Sequence, residues 1–208
     1  KTTTVGMTEA ILRAEGLKAV AVGNVGTPIL DAVREPVDYD VFAVELSSFQ
    51  LHYTHSISPV ASVVLNLAED HVDWHGGFEN YKAAKAKIYE RTQVAAIFNA
   101  ADEVTITMVE NADVIEGCRA IGFTTDTPAV SMVGVVEGLL VDRAFIEERK
   151  TSAVELIALK DIGEIVPRHT AANAAAAAAL TRAYGVSPEA VAAGLKNFDS
   201  GDHRIQAV

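Results

Sequence analysis

The sequence predicts an α/β fold: a mostly parallel sheet between layers of helices, with a small antiparallel β-meander added. Three observations predict it. Short apolar runs at residues 17–22, 40–46, 60–65, 94–98 and 120–123 alternate with stretches of helical periodicity, the rhythm of β-α-β units. The runs at 40–46 and 60–65 are continuously apolar rather than alternating, as suits strands buried on both faces of a parallel sheet. Both also end in chemically capable groups: Glu45, Ser47 and Ser48 after the first, Asn66, Glu69, Asp70 and His71 after the second. Ligands of open α/β sheets sit outside the carboxyl ends of the strands. Residues 41–89, which add a lysine-bearing helix, are therefore the stretch around which the rest is read.

Composition narrows the classes. Half of the 208 residues are hydrophobic and only 22% are charged, enough apolar material for one folded domain and too little charge for disorder. No apolar run approaches the ~18 residues of a membrane span, and the opening residues have no signal-peptide pattern. Acids outnumber bases 28 to 17, a net charge of −11, which argues against nucleic acid or an anionic membrane as partner. A phosphate ligand stays compatible, because backbone N–H groups and a bound cation can hold one locally. Cys118 is the only cysteine, which excludes an internal disulfide and a cysteine-cluster metal site and leads us to expect a cytoplasmic setting.

Taken in order, Lys1-Thr2-Thr3-Thr4 precedes an amphipathic run over 5–15 that Gly16 stops. Lys-Thr at a helix start fits the tail of a phosphate-binding loop, G-x-x-x-x-G-K-[ST], and fits equally a threonine-capped helix terminus. The run at 17–22 reads as a short strand, and Gly23-Asn24-Val25-Gly26-Thr27-Pro28 as the loop after it, with Asn24 either a turn residue or a substrate contact. A short helix over 29–34 ends at Glu35-Pro36. Glu45, at the end of the next strand, is costly to bury unless paired or bound to a metal. Ser47, Ser48 and Gln50 add neutral hydrogen-bonding groups beside it.

After the strand at 60–65, residues 69–75 hold three acids and two histidines. His71 and His75 stand four apart, but Gly76-Gly77 follows and no third zinc ligand is evident, so a hard cation with oxygen ligands fits better. A helix over 79–91 carries the apolar stripe Tyr81, Ala84, Ile88 and Tyr89. Lys82 and Lys85 lie one turn apart on it, and helix lysines are ordinarily solvated. The strand at 94–98 has a third polar exit, Asn99 to Asp102, and 120–123 reads as the last strand of the main sheet. The meander follows at 130–145, 156–159 and 164–166. An alanine-rich helix over 171–184, interrupted by Asn173, ends at Gly185. Ser187-Pro188 starts another helix, and Asp202-His203-Arg204 opens an exit segment. The chain opens and closes in mid-motif, which suggests a piece of a longer protein.

Seven motifs in order, KTTT, GNVGTP, ELSSFQL, LNLAEDHVDWH, YKAAKAKIY, HTAANAAAA and HRIQ, resemble the central ATPase domain of the Mur peptide ligases over essentially the whole chain. The resemblance implies a P-loop/Rossmann-like three-layer fold in which residues 1–208 are a central ATP-binding domain truncated at its phosphate loop, with N- and C-terminal domains outside it. It implies an ATP-dependent ligase: a substrate carboxylate attacks the γ-phosphate, and an incoming amine displaces phosphate from the acyl phosphate. ELSSFQL is most similar to the branch that adds D-glutamate to UDP-N-acetylmuramoyl-L-alanine. Lys1 would then contact the β/γ-phosphates, Thr2 and Glu45 would hold one Mg²⁺, and His71 a second. Thr3 would lie with the nucleotide phosphates. Lys85 matches a lysine that the family carbamylates with CO₂, giving an anion beside the second metal. Catalytic roles would fall to Lys1, His71 and Lys85, substrate contacts to Asn24 and Ser47, and nucleotide contacts to Asn173 and Arg204. Thr170 stands where the family pattern has Asn, so His169 and Thr170 receive no role. The parent is expected to be monomeric, and the piece alone inactive.

Three other readings compete: a sister Mur ligase, a folylpolyglutamate synthase-like ligase, which SSFQL disfavours, and a non-catalytic nucleotide- or partner-binding module. A purely structural domain would leave three polar strand exits unexplained.

Overall fold

The computed structural model describes residues 1–70 and 72–198. The fold is α/β, as expected, but its strands form two sheets. Strands β1 (Ala19–Gly23) and β2 (Val41–Glu45) make a parallel pair in register Ala19–Val41 to Gly23–Glu45. The second sheet has six strands in sequential order: β3 (Ala61–Val64), β4 (Ala95–Asn99), β5 (Arg119–Phe123), β6 (Met132–Val136), β7 (Leu139–Asp142) and β8 (Val154–Ala158). The first four run parallel; β7 and β8 add antiparallel. Among the described residues, β2 and β3 each pair on one side only.

Three expectations are corrected here. The run at 120–123 is not the last parallel strand, because β6 pairs parallel with β5 at Gly122–Met132 and Phe123–Val133, so the meander continues the main sheet. No strand forms over 164–166: Gly163 and Pro167 bracket too short a run, and Ile165 is 80% exposed. Strand β2 is buried on one face only. Ala43 and Glu45 turn inward while Phe42 and Val44 stay exposed, because β2 is a sheet edge covered from one side.

Helix α1 (Thr2–Ala14) buries Thr4, Met7, Thr8, Ile11 and Leu12, one helical stripe. It packs on β1 and β2 and against α7 (Arg168–Tyr184) and α8 (Pro188–Asn197). The contact with α8 is backbone to backbone: a Cβ on Gly194 would lie 2.4 Å from Ile11 Cα. The small alanine side chains of α7 pack it against the sheet, with Ala174 to Ala179 fully buried. Gly185 ends α7 in the left-handed conformation, and Ser187 caps α8 ahead of Pro188, as the sequence predicts. Alternate residues of β4 face opposite sides: Ala95 and Ile97 join the large core under α1, α7 and α8, and Ala96 joins a smaller one with Val64, Tyr89 and Met108.

The described residues also form the short helices α2 (Ile29–Arg34), predicted, and α3 (Ser48–His52), α4 (Val72–His75) and α6 (Glu103–Glu110), which the sequence reading does not assign. The helix expected over 79–91 is shorter. Helix α5 (Phe78–Ala86) gives way to a 3-10 turn at Lys87–Tyr89. The tighter winding delivers Tyr89 into the sheet, fully buried, where its hydroxyl accepts from Val64 N and donates to Ile97 O.

Candidate active site

The β1 and β2 exits are held side by side by their backbones. Asn24 N donates to Glu45 O at 2.8 Å, and Gly23, with φ 124°, passes so close that a Cβ there would sit 2.1 Å from Glu45 O. Only glycine fits. This crossing places Asn24 beside the last side chain of β2.

Glu45 is 5% exposed. A carboxylate so buried is stable only with partners, and it has three from distant parts of the chain. Thr2 Oγ1 donates to Oε2 at 2.9 Å, Asn24 Nδ2 donates to Oε1 at 3.3 Å, and Lys1 Nζ stands 3.6 Å from Oε1. Lys1 and Thr2 arrive at the start of α1, whose orphan N–H groups add positive character. Thr3, half-buried, is on the same first turn. Next to it, Thr4 Oγ1 donates to Asn173 Oδ1 at 3.1 Å, which ties α7 to the same corner.

Between the exits of β2 and β3 lies a cavity of about 220 Å³, whose lining includes Lys1, Leu46, Asn66, Asp70, Tyr81 and Lys85. The Lys85 ammonium is 5.5 Å from the Tyr81 ring centre. Burial, and then the charge of Lys1, lower the Lys85 pKa, while Asp70 and Glu45 oppose that shift. An amine so placed is richer in its neutral, nucleophilic form than a surface lysine.

The structure thus brings Lys1, Thr2, Asn24 and Glu45 into one cluster, with Lys85 across the adjoining cavity and Asn173 one helix away. Ser47 lies close in sequence but its side chain is engaged. It caps α3, accepting from Gln50 N while Gln50 Oε1 accepts from Ser47 N and Oγ, a complete capping box. His71 and Arg204 lie outside the described residues. The third polar exit is structural. Asn99 Nδ2 donates to Leu65 O, and Asp102 accepts from Val104 N at the start of α6 and from Leu67 N. The sequence reading missed Tyr81, taken as stripe, and the pairing of Ser48 with His75. Both aromatic residues stood in view, but nothing in their spacing says which way they face.

Among the described residues no three His, Cys, Asp or Glu side chains come together. The donors at hand are the Glu45 carboxylate and the Thr2 hydroxyl, hard oxygens that suit Mg²⁺ rather than zinc.

The Mur ligase middle domain family matches residues 1–181. Over all 208 residues the chain is 55% identical to the UDP-N-acetylmuramoylalanine–D-glutamate ligase of Streptomyces coelicolor and 53% to that of Streptomyces avermitilis, covering 44% of each. It therefore spans less than half the length of these relatives. Among solved structures, MurF from Acinetobacter baumannii superposes with a TM-score of 0.67 over 99% of this chain and 45% of its own, at 20% identity. Escherichia coli FolC, in complex with DHPP and ADP, does so at 0.59 over 94% and 54%, at 17% identity. At those identities the likeness is one of fold. The match across residues 1–181, with likeness to the ligases over all 208 residues of this chain, shows that the chain belongs to the Mur ligase family, as its middle domain.

Proposed function

We propose that this chain is the ATP-binding core of a ligase that joins D-glutamate to UDP-N-acetylmuramoyl-L-alanine. The observation that carries the reading is the buried Glu45 with Lys1, Thr2 and Asn24 gathered on it, Lys1 lining the same cavity as Lys85. The relatives' names supply the two substrates.

In this reading Lys1 meets the β/γ-phosphates of ATP, with Thr3 beside it on the first turn of α1. Thr2 and Glu45 are the side chains that would hold Mg²⁺, which when bound neutralises charge on the phosphates. Asn24 steadies Glu45 and, with Ser47 at the next strand exit, lies toward the muramoyl substrate. Asn173 and Arg204 serve the nucleoside end. The substrate carboxylate attacks the γ-phosphorus, the bond to the bridging oxygen breaks, and ADP leaves. The amine of D-glutamate then adds to the acyl carbon, the C–O bond to phosphate breaks, and the proton lost from nitrogen leaves with the inorganic phosphate.

Lys85 acts in one of two charge states. As a neutral amine it can add to CO₂, forming an N–C bond and releasing one proton to give a carbamate. The anion so formed would, with His71, hold a second Mg²⁺. The lowered pKa and the cavity support that modification. The setting we infer is cytoplasmic, where UDP-linked substrates and ATP meet, and the acting form a monomer. No described helix is long and apolar enough to cross a membrane.

The test is phosphate release by a full-length protein carrying this chain, with UDP-N-acetylmuramoyl-L-alanine, ATP and a panel of amino acids. Release only with D-glutamate supports the reading. Release with another amino acid moves it to a sister ligase, and release with none leaves a binding module.

A further inference from the structure

His75 has no role in the reaction described above, yet it is among the most enclosed polar side chains near the site. It is 8% exposed, and its Nε2 lies 3.0 Å from Ser48 Oγ, itself 4% exposed. Ser48 is the first residue of α3, three positions after Glu45. The imidazole lies nearly parallel to Phe49 of α3, with ring centres 5.7 Å apart, and meets Tyr81 of α5 at 5.5 Å. Tyr81 is the ring over which the Lys85 ammonium sits. On its backbone side, Asn80 Nδ2 of α5 donates to His75 O at 2.9 Å. One histidine therefore touches both the segment that leaves Glu45 and the helix that carries Lys85.

We propose that His75 is a positioning residue: its hydrogen bond to Ser48 and its contact with Tyr81 hold the β2 exit and α5 in one fixed relation, so that the Glu45 cluster and Lys85 act on the same substrate. This rests on the ligase reading above. At the far end of α3, an exposed bond from Lys87 Nζ to His52 O ties it to the turn after α5; at the Ser48 end, apolar packing alone would leave α3 and α5 free to slide by fractions of an ångström, because stacked rings are broad in their preferred offsets. A buried hydrogen bond is directional and removes that freedom. The joint that follows, Gly76 and Gly77 at positive φ, is held to α4 and α5 by local bonds, Gly76 N to Asp73 O, Gly77 N to Val72 O and Asn80 Nδ2 to the carbonyls of His75 and Gly76. None of these reaches α3, and the Ser48–His75 bond does.

The test uses the full-length protein as wild type, Ser48→Ala, His75→Phe and the double variant. His75→Phe keeps a ring on Phe49 and Tyr81; Ser48→Ala keeps the imidazole. If the bond positions the site, each single variant loses kcat by about tenfold or more, with KM for D-glutamate within about twofold, since small misplacement costs rate. The double variant loses no more than the worse single one, because each cuts the same tether. A kcat unchanged in all three, or losses that multiply in the double variant and follow the melting temperature, would make His75 an ordinary core residue and overturn the proposal. A second readout is independent of the reaction: acetylation of Lys85 relative to Lys82 on the same helix, followed by mass spectrometry. The proposal predicts a Lys85-to-Lys82 ratio raised severalfold in the variants, and an unchanged ratio contradicts it. Should the wild type release no phosphate with any amino acid, the ligase reading fails and the labelling ratio still decides the tether.

Discussion

The exits of β2 and β4 look alike on paper: an apolar strand, then an acid among small polar residues. In the folded chain they are opposites. At the β4 exit, Asp102 and Asn99 bond the backbone of neighbouring loops and the start of α6. Each acceptor there meets a main-chain donor that needed a partner. At the β2 exit, Glu45 is buried and its partners are side chains, two of them from the start of α1 and one from the β1 loop. Main-chain partners make a turn. Side-chain partners from remote elements, one of them a cation beside a cavity, are the arrangement on which the proposed metal and phosphate roles rest.

That contrast can be broken or sharpened by substitution. The largest effect is expected for Gly23→Ala, which drives a Cβ into Glu45 O and requires a positive φ that alanine resists. Denaturant melts should show a loss of roughly 3 kcal/mol, with phosphate release lost as well, because the β1 and β2 exits part. Next is Lys85→Ala, which should lower phosphate release by about a hundredfold at nearly unchanged melting temperature. Full activity in that variant would remove the carbamate role. Asp102→Ala should cost about 1–2 kcal/mol, the usual loss for a helix cap, with phosphate release per folded molecule unchanged. The smallest effect concerns pH. Lys85 is held below the ordinary lysine value of 10.5, so the unfolded chain keeps that proton where the folded chain has begun to shed it. Between the two values the unfolded state binds more protons, and stability rises with pH. Urea titrations in CO₂-free buffer should show that slope in wild type and a flatter one in Lys85→Met.

The strands were legible because continuous apolar runs have few other uses in a chain of this composition. Glu45 was legible for the same reason in reverse, an acid where burial is expected. The short elements were not. Helix α6 reads EVTITMVE, rich in β-branched residues that favour strands, and it forms because Asp102 caps it and Thr105 and Met108 bury against β4. Ser47 and Gln50 read as neutral hydrogen-bonding groups, and their union in a capping box was not legible, since sequence shows which such groups exist but not whom they face. The break between two sheets was also hidden, because strand order is decided by contacts among residues far apart in sequence. The same reason conceals His75: its spacing from His71 raised and dismissed zinc, while its partner lies 27 positions upstream.

Under the proposed ligase reading, the β2 exit does chemistry and the β4 exit does not. Glu45→Gln and Asp102→Asn, each removing one charge at nearly constant shape, put the two side by side in the full-length protein. Phosphate release with ATP, D-glutamate and UDP-N-acetylmuramoyl-L-alanine, measured against Mg²⁺ concentration, is the measurement to make. We expect a loss of about a hundredfold or more for Glu45→Gln, with a weakened Mg²⁺ dependence, and a loss within about twofold for Asp102→Asn per folded molecule. Equal losses in the two variants, or none in Glu45→Gln, would contradict it.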